Sequence, residues 1–467
     1  MFPKPLLINI LPKPPSFRKL FGPSFIILGL GLGSGEVILW PYLSSHYGLG
    51  IIWGAVIGIT FQFFMNMEIE RYALVHGESV FVGLTRKMRY ISYWFLLSTF
   101  LPWIWPGIIA SSAAILSYVF GFSNSSYLAI ILLIIIGLIL TLGPVLYKTV
   151  ERFQKVLIVI GVPSIFLLSV ILAKSSDWIA LSKGVVGIGP DYLFLPGSIA
   201  ISSFLAALAY AGAGGNLNLA QAFYIKEKGY GMGRYAGRIT SLLTGTQEEV
   251  SITGSTFEIN PENVQTFKAW WKKINIEHFV IFWLTGSITI LLLALLAYST
   301  TYNIHPKASD LGFIFQESAE IGKSIFPVAG TFFLLIASLT LFGTQLTVFD
   351  ATSRILAENT LLASFDRLKE KHFPKVFYIV LWLQILAGII IFLFGFTQPL
   401  QLLIIAATLN AIAMFVHTGL TLWLNLTNLN KALRPSLFRI TAMLLAFAFY
   451  GSFSIYVIFT SLSGVKF

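Results

Sequence analysis

The chain contains no cysteine, so disulfides, thiolate metal sites and thiol nucleophiles are excluded. Charge is almost as scarce. Only 11% of the 467 residues are Asp, Glu, Lys or Arg, against about 25% in a soluble domain. There is no Gly-x-Ser-x-Gly elbow, no His-Glu-x-x-His pair and no phosphate-binding loop ending in Lys-Ser/Thr. Hydrolase, zinc-protease and ATP-driven pump chemistry therefore lack their residues, and neither an enzyme nor a bound cofactor is expected. Residues 1–22 are Pro-rich and basic without the apolar core of a cleavable signal peptide, and read as a cytoplasmic tail.

What is present is apolar length. Hydrophobic residues make up 56% of the chain, and its mean hydropathy is +0.81. Eleven apolar spans are expected at approximately 23–47, 51–70, 92–120, 127–147, 154–173, 195–224, 277–300, 325–353, 376–396, 400–424 and 437–461. Such lengths suit membrane helices and are too long for barrel strands. The sequence thus predicts an all-α polytopic membrane protein, with 23–467 as one transmembrane domain and a long inside loop at about 225–276. Placing the N-terminus in the cytoplasm leaves Lys174, Lys183, Lys307, Lys323 and Lys466 outside and puts 26 of the 31 basic residues inside. That bias matches the positive-inside rule. It puts the C-terminus outside, in a cell membrane, and makes nucleic acid an unneeded explanation for the +11 charge. The cluster Trp270-Trp271-Lys272-Lys273 in the long loop suits the headgroup region, on short interfacial helices.

Two stretches interrupt this pattern. The first span contains Gly29-Leu30-Gly31-Leu32-Gly33-Ser34-Gly35-Glu36. Each helix-interior glycine costs about 1 kcal/mol relative to Ala, so the run is a poor continuous helix. At 1.5 Å per residue, Gly33 lies about 15 Å from Pro23, halfway through a hydrocarbon layer of roughly 30 Å. A carboxylate at that depth is costly and points to function. The sixth span repeats the feature in Ala213-Gly214-Gly215-Asn216. Five spans separate the starts of the two, so they run in opposite directions. Paired Gly-interrupted spans in two halves of a chain mark a binding site between inverted repeats, here spans 1–5 and 6–10.

Several constellations carry candidate chemistry. Gly33, Ser34, Gly35 and Glu36 offer carbonyls, a hydroxyl and one negative charge, the ligand set of a hard cation. The competing reading is helix packing through small residues. Asn216, Asn218 and Gln221 either cap the freed helix end or face the ligand. Asp350 and Arg354, four apart on one helix face, read as an ion pair at an inner gate or as part of a proton path. Glu68, Glu70 and Arg71 end the second span as a structural charge cluster. His417, in the tenth span, is either a hydrogen-bonded structural residue or a proton relay.

Gly22-Pro23-Ser24-Phe25 followed by Gly33-Ser34-Gly35-Glu36 resembles the Nramp family of proton-coupled divalent-metal transporters, whose first helix opens Gly-Pro-Gly-Phe and breaks at Asp-Pro-Gly-Asn. Ala213-Gly214-Gly215-Asn216-Leu217 is similar to the family's Met-Pro-His-Asn-Leu motif. The resemblance implies an inverted 5+5 transmembrane-helix repeat, LeuT-like, with broken first and sixth helices and an appended eleventh. It also sets Gly33 where the family has its metal-binding aspartate, Ala213 in place of the methionine, Gly215 in place of the histidine and Glu36 in place of the asparagine ligand. The third span, Trp94 to Tyr118, has no acid where the family uses carboxylates for protons. Without the soft thioether, transition-metal preference is lost. The Gly-Ser-Gly turn also resembles amino-acid permeases, where half-helix amides hold a substrate carboxylate.

The sequence thus points to a secondary transporter of a hard, divalent cation, bound by Glu36, Asn216 and the main-chain oxygens of Gly33 and Ala213, with protons as candidate co-substrate. Two alternatives stand beside it: a carrier of a small organic solute such as an amino acid, and a transport-dead receptor or scaffold. Oligomeric state is left open.

Overall fold

The computed structural model describes residues 3–16, 20, 22–143, 146–237, 239, 251–364 and 367–462. Among them, ten helices are long and apolar enough to cross a membrane. The remaining expected span, the sixth, is split into Ile201–Ala209, Gly215–Ala220 and Gln221–Lys228, each too short to cross alone. The protein is a multi-pass membrane protein with the inverted 5+5 repeat, and the eleventh helix, Leu437–Leu462, packs on the tenth. Arg18, Lys19, Arg238 and Lys466, used in the topology argument, lie outside the described residues, as do 240–250 of the long loop.

Below, the proximal end of the bundle is the one carrying the N-terminal segment. The spans in order are Pro23–Tyr47, Leu49–His76, Ile91–Phe120, Ser125–Leu142, Leu146–Leu172, the split sixth, Pro261–Thr301, Pro327–Ala363, Glu370–Leu393, Pro399–Asn428 and the eleventh. Burial separates them. The central window of the first is 94% buried inside the protein, those of the fourth and fifth only 33% and 22%. The first span is therefore axial, and the fourth and fifth turn apolar faces such as Ile131, Ile134, Val159 and Phe166 outward, as lipid requires. The eighth span is the longest helix of purely α geometry among the described residues, 37 residues, or about 55 Å. It contacts the third, fifth and ninth spans and the first half of the first. Asp350 stands about 35 Å from its start, at the proximal boundary.

The proximal end is strapped by residues 4–15. Leu7 and Ile8 pair in parallel with Ser255 and Thr256. Trp270 Nε1 donates to the Pro12 carbonyl at 2.6 Å and Lys273 Nζ to that of Pro15 at 2.6 Å. This corrects the headgroup assignment for Trp270. Trp270 is 2% exposed, and Trp271 lies under Arg71, whose guanidinium carbon is 3.8 Å from the ring centre. The cluster sits on Pro261–His278, a helix that runs without interruption into the seventh span. An indole buried with its N–H satisfied by protein is a structural anchor.

Candidate functional site

The first break is narrow. The helix Pro23–Gly31 ends, Gly33 takes φ −92° and ψ −85°, and Ser34–Leu39 resumes as a wide π-helical turn before Trp40–Tyr47. The second break is open from Tyr210 to Gly214, with Gly212, Gly214 and Gly215 at φ +122°, +76° and +54°. L-residues with side chains avoid this region, so glycine is required. The breaks abut backbone to backbone. A Cβ on Gly31 would stand 2.8 Å from the Gly212 backbone, and one on Gly35 would stand 1.8 Å from the Tyr210 carbonyl oxygen. Gly215 has no room for the side chain found in the resembling motif, since a Cβ there would fall 1.8 Å from Asn410 Oδ1. Close packing and an open backbone therefore coexist: the glycines permit approach, and the approach leaves peptide groups without helical partners.

Side chains from other spans satisfy those groups, and sequence reasoning missed nearly all of them. Gln62 Nε2 donates to the Ala209 and Ala211 carbonyls at 3.1 and 2.9 Å, while its Oε1 accepts from Gly214 N at 3.0 Å. One amide thus stands in for three backbone partners. Thr344 Oγ1 donates to the Gly29 carbonyl at 2.8 Å. His417 Nε2 donates to the Gly215 carbonyl at 3.0 Å, so the tenth span props the second break. Asn410 Nδ2 donates to Tyr210 Oη at 3.1 Å, and that ring stacks on Trp103 at 5.6 Å. The available signal was an isolated amide inside an apolar span, as at Gln62 and Asn410.

Glu36 is fully buried, and neither carboxylate oxygen has a hydrogen-bond partner among the described residues. Oε1 lies 3.7 Å from where a Gly286 Cβ would stand, in a patch shared with Leu28 and Ile59. An ionised carboxylate taken out of water costs several kcal/mol unless compensated, so this one requires a proton or a cation. Asn216 is also fully buried, but its Nδ2 is committed to Ser98 Oγ at 2.8 Å and Thr99 Oγ1 at 2.9 Å, on the third span. Its Oδ1 is unpartnered among the described residues. The structure thus brings the two breaks together but turns the two expected ligands to different neighbours, Glu36 to the seventh span and Asn216 to the third. The side-chain oxygens left unpartnered, those of the Glu36 carboxylate and the Asn216 amide, are acceptors, which fits a cation.

At the proximal end, Asp350 and Arg354 form the ion pair expected from their spacing, Nε to Oδ1 at 2.8 Å. The sixth span completes it. Arg354 Nη1 also donates to Glu227 Oε1, and Tyr224 Oη donates to Asp350 Oδ2 at 3.2 Å. All four side chains are buried. Glu227 and Tyr224 were invisible from sequence because their pairing crosses more than 120 residues. Asn218 donates to the Gly215 carbonyl at 3.2 Å, within its own turn and not as a cap, and Gln221 to Glu70 Oε1 at 2.6 Å.

With broken helices abutting in two inverted halves, the fold is that of secondary transporters, and comparison with solved structures agrees. The chain superimposes on a mutant of the Eremococcus coleocola manganese transporter with a TM-score of 0.71 at 11% identity, covering 98% of this chain and 90% of that one. It superimposes similarly on that transporter in complex with an aromatic bis-isothiourea substituted compound, with a TM-score of 0.69, 11% identity and 97% and 89% covered. A nucleobase-cation-symport-1 family transporter, closed on bromovinylhydantoin, gives 0.54 at 13% identity over 97% and 96%. No family model and no curated protein sequence matches the chain. The likeness is one of fold.

Proposed function

We propose that this protein is a secondary transporter that moves a hard divalent cation across the membrane by alternating access, with its proximal end in the cytoplasm and its C-terminus outside. The observation that carries the reading is Glu36: a lone carboxylate, fully buried beside two abutting helix breaks, with neither oxygen partnered. Candidate ligands are that carboxylate, Asn216 Oδ1 and the main-chain oxygens of Gly33 and Ala213, with Ser34, Gly35, Gly214 and Gly215 shaping the approach. A rotation bringing the first and seventh spans toward the third would unite Glu36 and Asn216. The fold shared with a manganese transporter supports a metal cargo, while the oxygen-only donor set favours Mg²⁺ or Ca²⁺ over softer ions. Arg354, Asp350 and Glu227 close the proximal end between the sixth and eighth spans, as a gate held by charge. His417 relays no proton in this reading; its Nε2–H supports the second break.

The test is uptake into proteoliposomes of Mg²⁺, Ca²⁺, Mn²⁺ and Cd²⁺ by the whole protein and by Glu36→Gln, alongside thermal stabilisation of the purified protein by each ion. Saturable uptake lost in Glu36→Gln is expected. Uptake unchanged in that variant, or uptake confined to Cd²⁺, overturns the site. A second reading, a carrier of a small organic solute, is favoured by the Gly33-Ser34-Gly35 turn ahead of a half-helix. Stabilisation by an amino acid and by no cation would establish it.

A further inference from the structure

Away from the breaks, the proximal half holds a second group of buried carboxylates that neither the cation site nor the Arg354 gate uses. Ser24 lies in the first turn of the first span and is fully buried. Its hydroxyl donates to Glu277 Oε2 and lies 2.9 Å from His278 Nδ1. That same ring nitrogen is 3.2 Å from Glu70 Oε1, which also accepts from Gln221 Nε2 at 2.6 Å. Glu277 Oε1 accepts from Gly22 N at 3.4 Å. One continuous chain, Glu70–His278–Ser24–Glu277, therefore joins the second, seventh and first spans, with Gln221 of the sixth attached. Glu70 Oε2 and His278 Nε2 have no hydrogen-bond partner among the described residues.

Charge decides what such a chain can do. The cations packed around it already face other carboxylates. Arg71 and Arg439 engage Glu68 at 2.8 and 3.5 Å, and Lys228 engages Glu151 at 2.8 Å. The fifth span adds Tyr147, Glu151 and Lys155, which engages Glu151 at 2.7 Å, and the sixth span with the residues after it adds Glu227, Lys228 and Tyr230. His278 stacks between Phe63 and Phe282, at 5.6 and 4.8 Å, surroundings that favour a neutral ring. Two buried carboxylates bridged by one hydroxyl and one neutral imidazole cannot both be ionised without strong mutual repulsion.

We propose that Glu70, His278, Ser24 and Glu277 form a proton-binding site that latches the proximal end of the first span. With one proton shared along the chain, Ser24 and Gly22 are held by Glu277 and the end stays closed. Loss of that proton leaves two like charges around Ser24, and the end is released. The proposal extends the transport reading by giving it a proton site remote from Glu36, but its test needs no cargo.

Because the chain has no cysteine, a single Ile27→Cys, fully buried in the first span, reports opening by its rate of maleimide labelling. Rates are taken between about pH 5 and about pH 8 and normalised to the unfolded protein at each pH. The expected result is labelling that slows as pH falls, by up to about tenfold per pH unit for one controlling proton. Glu277→Gln keeps the acceptor for Ser24 without the charge and should flatten the profile at the slow limit, as should Glu70→Gln. Ser24→Ala should label fast throughout. Leu28→Cys serves as an independent reporter should Ile27→Cys fail to fold. A flat profile in the parent, or an undiminished slope in both Gln variants, overturns the latch. Absence of cation uptake with the pH profile intact would defeat the transport reading alone.

Discussion

The mid-span breaks and the Arg354 and Glu68 clusters of the proximal end treat carboxylates in opposite ways. At the proximal end, Asp350 and Glu227 share Arg354, and Glu68 is held by Arg71, Arg439 and Asn425. At the breaks, Glu36 has no partner among the described residues. Both places are buried, so burial does not distinguish them; the supply of counter-charge does. A matched buried pair contributes register and closure, with little net stability. An unmatched carboxylate is a standing cost that a native fold tolerates where a ligand or proton removes it.

Removing the unmatched charge should have the largest functional effect. Glu36→Gln is expected to lower cation uptake by roughly two orders of magnitude, as for loss of the only charged ligand, while size-exclusion behaviour and thermal unfolding without ions stay native-like. Glu36→Leu sharpens the contrast: it should raise thermal stability in cation-free buffer, since it replaces an uncompensated polar group by an apolar one. A fall in stability in both variants would put Glu36 among the structural carboxylates.

The matched region should behave in the reverse sense. Arg354→Met strands Asp350 and Glu227 and is expected to cost about 3–5 kcal/mol in reversible unfolding. Adding Asp350→Asn and Glu227→Gln should recover much of it. Failure of the triple variant to recover would mean that the cluster is not held by charge.

Between these lies the backbone of the second break. Gln62→Leu keeps volume but leaves the Ala209 and Ala211 carbonyls and Gly214 N without the partner they have now, at about 1–3 kcal/mol for each group left unpaired. Gly215→Ala should cost at least about 2 kcal/mol, from its positive φ together with the collision with Asn410. Asn410→Ala in the same chain should relieve only the collision.

The smallest expected effect lies at the distal end. Asp310, in the loop after the seventh span, accepts from Leu400 N at 3.0 Å, and burial pushes its carboxyl above the usual range for Asp. Its folded pKa exceeds the unfolded one, so its contribution is fullest below the unfolded value and is lost as pH rises through the folded one. Tm should therefore decline slightly with pH across the mildly acidic range, and Asp310→Asn should remove that slope. A steeper slope in the variant would contradict the assignment.

By itself, the sequence determined that this is a helical membrane protein, where its spans fall, and that the first and sixth are broken. Those features follow from composition and from where glycine interrupts an apolar run, properties of local stretches that no partner has to supply. It also announced Glu36, because a carboxylate at mid-depth is conspicuous in any fold, and Asp350 with Arg354, because four residues on a helix fix a shared face. Only the tertiary structure decided what each of these meets. Gln62 and Asn410 hold the sixth span from the second and tenth, Glu227 completes the Arg354 cluster, and Ser24 is tied to Glu277 and His278 across 253 and 254 residues. Tertiary packing also placed Trp270 against the N-terminal segment instead of at a lipid headgroup, and turned Glu36 and Asn216 toward different spans. Local sequence sets which groups lack partners; the packing of distant helices alone sets which of them find one.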